Sequence, residues 1–146
     1  KNITEPPLKE MKAEGNHLRN DMKLESADSQ YKFSVFMRIN KDFNENFSIG
    51  LIYIPQDEPN SFILLRFNGK HGEHAENLIE PNPHYDFHIH QAKKEMIEAR
   101  YSPEKKSYIT DKYASYEQAL HYFIKMTNIK DHDKYFPLYQ FSIFDS

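Results

Sequence analysis

Tyr31-Lys32-Phe33-Ser34-Val35-Phe36-Met37-Arg38-Ile39 carries the clearest strand pattern in the chain. Tyr31, Phe33, Val35, Met37 and Ile39 take every second position, with Lys32, Ser34, Phe36 and Arg38 between them. Side chains of a strand alternate between faces, so the pattern predicts a strand with one apolar face. Downstream, Phe47 to Ile54 is apolar on both faces and predicts a central strand. Pro55 to Asn60 holds two prolines and reads as a turn. Ser61 to Phe67 is again apolar on both faces, with Phe62 and Leu64 on one and Ile63, Leu65 and Phe67 on the other. Three strands with short connections predict an antiparallel meander.

Further along, Asn68-Gly69 is a turn dipeptide and opens a loop to Pro83. Tyr85 to Gln91 predicts a fourth strand, with Phe87 and Ile89 on one face and Asp86, His88 and His90 on the other. Ser107 to Lys112 predicts a short fifth strand. The strongest helix signal is Tyr116 to Thr127. Tyr116, Ala119, Leu120, Phe123 and Ile124 form one stripe at helical spacing, and Ser115 with Gln118 makes a capping box at its start. On the other side of the Tyr31–Ile39 stretch, Leu8 to Asn20 is expected as a short helix through Leu8, Met11 and Leu18, weakened by Gly15. Lys23 to Ser26 is expected as a short edge strand. The predicted architecture is α+β: a four- to five-stranded, mostly antiparallel sheet with a C-terminal helix packed on one face. Residues 1–146 are expected to form a single domain, with 1–7 a flexible arm.

Composition narrows the function. With 146 residues the chain can bury a core, and with no cysteine it offers no disulfide, thiolate metal site or cysteine nucleophile. No run of about 18 apolar residues predicts a transmembrane helix and no signal-peptide pattern opens the chain. The expectation is a cytoplasmic protein that makes no membrane contact. Lys and Arg number 19 against 22 Asp and Glu, a net charge of −3 with His neutral. A dedicated nucleic-acid binder usually shows a basic excess, which is absent overall.

Five of the eight histidines fall between positions 71 and 90: His71, His74, His84, His88 and His90. Histidine changes charge near neutral pH and is the commonest metal ligand. His88 and His90 share one face of a strand, so their rings can converge. Three readings follow. His88, His90, His71 and His74 can serve as metal-free acid–base catalysts, with Arg66 or Lys70 holding a phosphate, as in a small ribonuclease. His88, His90 and His74 can instead ligate a divalent metal. The cluster can also dock a partner protein. The bland alternative is imidazoles that pair with Asp86, Glu73 or backbone. No cofactor is expected beyond that metal.

The order of these features carries a resemblance. Leu65-Arg66-Phe67-Asn68-Gly69 runs into a His-containing loop, followed by Phe87-His88-Ile89-His90-Gln91-Ala92. Then come Tyr108-Ile109-Thr110-Asp111-Lys112-Tyr113 and Tyr116-Glu117-Gln118-Ala119-Leu120 with Phe123, ending at Asn128-Ile129. Over roughly Tyr31 to Ile129 the chain resembles a family of small uncharacterised bacterial and prophage proteins. That family carries an Arg-x-x-Asn-Gly-x-His segment, a His-x-His strand and an Asp-(Arg/Lys)-Tyr turn before a closing helix. The resemblance implies a mobile element, and its layout is similar to the His-rich toxins of toxin–antitoxin pairs. On that basis His71, His74, His88 and His90 are expected to work, supported by Arg66, Asn68 and Asp111. The expected partners are RNA and a cognate antitoxin or a host protein.

Overall fold

In the computed structural model, residues 1–70, 86–92 and 108–136 are described. Their strands are β1 (Asn2–Glu5), β2 (Lys12–Glu14), β3 (His17–Glu25), β4 (Lys32–Asn40), β5 (Phe47–Ile54), β6 (Phe62–Asn68), β7 (His88–Gln91) and β8 (Tyr108–Ile109). One α-helix, α1 (Tyr116–Thr127), and a 3-10 turn at His132–Lys134 follow. All described strand pairings are antiparallel, in one eight-stranded sheet. From β3 to β8 the order is a meander, while β1 and β2 share the outer edge of β3, one at each end. The sheet is therefore larger than the four or five strands expected from sequence, because the first 25 residues contribute three.

The expected helix over Leu8–Asn20 is instead a hairpin, β2 to β3. It turns through Gly15 at φ +57°, a left-handed conformation that favours glycine. Of the expected Lys23–Ser26 strand, Lys23, Leu24 and Glu25 belong to the nine-residue β3, which is covered on both edges. The expected arm is partly paired: Asn2–Glu5 runs along β3. Inward positions of β3 are Leu18, Asn20, Met22 and Leu24, and the polar one is satisfied locally. The Asn20 side chain accepts from the Leu8 amide at 2.9 Å and donates to the Leu8 carbonyl at 3.0 Å, continuing the ladder where main chain leaves it.

The core lies on one face of the sheet. Met22, Leu24, Val35, Met37, Phe47, Ile49, Leu65, Phe67 and Ile89 meet Ala119, Leu120, Phe123 and Ile124 of α1. Each large side chain contributes about 1.5–3 kcal/mol on burial. The helix spans the residues its periodicity predicts. Ser115 accepts from the Gln118 amide at 3.1 Å, while the Gln118 side chain accepts from Ala114 rather than from the cap residue itself. Asn128 closes the helix at φ 58°. A bulge at Leu64 corrects the parity expected for β6: Phe62 pairs Tyr53 and Leu65 pairs Leu51, so both lie on the core side. Asn68-Gly69 does not turn the chain either. Asn68 ends β6, and the Gly69 amide donates to Phe47 at 2.9 Å, extending the ladder. No described helix is long and apolar enough to cross a membrane.

Candidate functional site: a polar face around two histidines and three arginines

Strand parity and register build the face opposite the core. Antiparallel partners share a face. One row of partners runs Arg19, Arg38, Ser48, Asn68, His88; the neighbouring row runs Asp21, Phe36, Gly50, Arg66, His90. In this chain a single residue, Phe67, separates Arg66 from Asn68, and this i, i+2 spacing puts both on the polar face.

The centre of the face is a hydrogen-bonded relay. The Ser48 hydroxyl donates to Asn68 Oδ1 at 2.7 Å, and Arg66 Nε–H donates to Ser48 Oγ at 2.9 Å and Asn68 Oδ1 at 3.2 Å. With its oxygen so engaged, Asn68 turns its amide nitrogen to His88 Nε2 at 3.1 Å. His88 Nδ1 lies 2.8 Å from the Asp86 carbonyl. A carbonyl only accepts, so Nδ1 carries the hydrogen and Nε2 the lone pair. His90 stands edge-on to His88 with ring centroids 5.2 Å apart. Ser48, Asn68, His88 and His90 are all buried, His88 completely. Beneath them the buried Tyr113 hydroxyl donates to the backbone carbonyls of Asn68 (2.9 Å) and His88 (2.8 Å), tying β6 to β7. Burial pushes that hydroxyl well above the usual tyrosine range.

Beside the relay lies the cationic part. Phe36 packs against Gly50, where any side chain would overlap its ring. The Arg19 and Arg66 guanidiniums stand 5.8 and 6.0 Å from that ring's centroid. Arg19 is held by both oxygens of Asp21, at 2.9 and 3.0 Å, a partner that raises its already high basicity. Arg38 differs. Among the described residues it has no carboxylate partner. Burial, then Arg66 and Arg19, lower its proton affinity.

Of the residues expected at the site, His88, His90, Arg66 and Asn68 come together. His71 and His74 lie outside the described residues, as do His84 and Glu73. Lys70 reaches away, pairing with Glu45 at 3.2 Å and lying over the Phe87 ring. Asp111 is exposed, and it is Tyr113, two residues on, that touches the strand pair. Among the described residues no three His, Asp or Glu side chains gather as a metal site. Two imidazoles, His88 and His90, are the described donors that could share in one. Sequence reasoning missed Arg19, Phe36, Arg38 and Ser48. The signal was present for two of them, since Phe36 and Arg38 alternate with the apolar face of β4.

No family model, curated protein or solved structure matches the chain.

Proposed function

We propose that this protein acts on RNA, holding the phosphodiester backbone across the polar face of the sheet. We read it as a toxin-like protein of a bacterial mobile element or prophage, with the histidine pair supplying ribonuclease chemistry. The observation that carries this reading is the convergence of Arg19, Arg38 and Arg66 around Phe36, beside His88 and His90. A net charge of −3 gives no long-range attraction for a polyanion. A local guanidinium cluster supplies it at short range, and a half-buried aromatic ring between those guanidiniums is what an unstacked base stacks on.

The chemistry is a transesterification. One imidazole takes the proton of a ribose 2′-hydroxyl, whose oxygen attacks the adjacent phosphorus. The other imidazole gives a proton to the departing 5′-oxygen, leaving a 2′,3′-cyclic phosphate and a 5′-hydroxyl. The lone pair on His88 Nε2 suits the base, with Asn68 holding that nitrogen until substrate replaces it; His90 is then the acid. Arg66 offsets charge on the non-bridging oxygens.

The test is cleavage of purified total RNA by the wild type and by His90→Ala, with and without EDTA. Cleavage that survives EDTA and is lost in the variant supports the reading. Loss with EDTA transfers the histidines to a metal site. No cleavage by the wild type removes the enzymatic half of the proposal. A second reading, a module that binds a host protein without catalysis, is favoured by one observation. An apolar groove of about 630 Å³ lies among Pro7, Leu8, Met11, Tyr116, Leu120 and Phe136, away from the polar face.

A further inference from the structure

At the end of the arginine row, β3, β4 and β5 enclose a small cleft of about 140 Å³, lined by His17, Arg38, Asn46, Phe47 and Ser48. That is several times the space a single water needs and is suited to one oxyanion. Its walls are preformed. The Asn40 amide donates to the Asn46 carbonyl, the Asn46 amide to Phe43, and the Lys41 amide to Asn16, each at 2.9 Å. The Asn40 side chain accepts from the amides of Asp42 and Phe43, so the 40–46 connection is braced from within. Arg38 is the group such a cleft would present: half-buried, beside two other guanidiniums, and with no described carboxylate partner. Among the described residues, the charges that lower its proton affinity are Arg66 and Arg19, both of its own sign.

We infer that this cleft seats a terminal phosphate of the RNA, a monoester at a strand end rather than a backbone diester. The inference rests on the RNA-acting reading. A diester needs room for the chain to enter and to leave, whereas a terminus enters once, and the cleft has space for one tetrahedral group. A monoester also carries up to two negative charges, which suits a guanidinium with no carboxylate partner among the described residues better than one charge does. Arg38 would grip two oxygens, with His17 and Asn46 beside the third.

The test uses three fluorescent 2′-O-methyl oligonucleotides of one sequence, which cannot be cleaved: 5′-phosphorylated, 3′-phosphorylated and unphosphorylated. Affinities are measured by anisotropy for the wild type, Arg38→Ala and Arg38→Lys. One phosphorylated form is expected to bind about tenfold or more tightly than the unphosphorylated one. Arg38→Ala is expected to erase that preference, lowering affinity for the phosphorylated strand by more than for the unphosphorylated one, and Arg38→Lys to restore part of it. Equal wild-type affinity for all three overturns the cleft while leaving the RNA reading intact. Binding of none removes the RNA reading. Inorganic phosphate titrated alone into both proteins then decides the cleft: saturable binding lost in Arg38→Ala supports an oxyanion seat, and no binding overturns it.

Discussion

Gly50 and Phe36 show how much of the polar face depends on a single missing side chain. The Phe36 ring lies against the Gly50 backbone, and from there it is flanked by Arg19 and Arg66. Gly50→Ala must displace that ring. The expected cost is about 1–3 kcal/mol in urea denaturation, with RNA affinity falling by more than stability alone explains. Unchanged affinity in a folded Gly50→Ala protein would remove Phe36 from the binding surface. At this scale the sequence was legible wherever parity alone decides. Arg66 with Asn68, and His88 with His90, sit two apart and therefore share a face. It was not legible where register decides. Nothing in the chain order says that Arg38 opposes both Arg19 and Ser48. Asp111 entered the expected site through the resemblance and Lys70 through closeness in sequence, yet Asp111 is exposed and Lys70 turns to Glu45.

Between β6 and β7 the decisive contact comes from outside the sheet. Tyr113, just before α1, places its hydroxyl between the Asn68 and His88 carbonyls at 2.9 and 2.8 Å. Tyr113→Phe keeps the ring but leaves two buried carbonyls short of a donor. The expected loss is about 1–3 kcal/mol. Hydrogen exchange at His88 and Ile89 should quicken more than exchange in β4, and uniform quickening would contradict a local clamp. The elements best read from sequence are those with an uninterrupted pattern: β4, β5 and α1. β3 was misread because Asn20 breaks its inward alternation, and Leu8, Met11 and Leu18 imitate a helical stripe. What makes Asn20 tolerable there is a pairing with Leu8 that only the folded chain contains. The parity of β6 was misread for a similar reason, a bulge at Leu64.

Over the whole molecule, charge and titration follow from how the sheet is assembled. The chain's net charge of −3 hides the arginine cluster because Arg19, Arg38 and Arg66 come from three different strands. Alkaline stability is a second consequence. Tyr113 is 2% exposed and burial raises its ionisation above the ordinary value of 10.0. The native state holds this proton more tightly than the unfolded chain. The contribution is therefore complete below about pH 10 and is lost as pH rises toward the native value. The urea midpoint should fall between pH 9 and 11, and Tyr113→Phe should flatten that fall. A midpoint insensitive to the variant would show that other groups dominate.

RNA binding by the polar face is tested by titrating ¹⁵N-labelled protein with single-stranded RNA, followed by NMR. RNA held on the polar face should shift chiefly the side-chain Nε–H signals of Arg19 and Arg66 and the amides of Phe36, Arg38 and Ser48, with the shifts weakening as salt is raised. Shifts confined to the α1 side of the sheet, or no shifts at low salt, would contradict it.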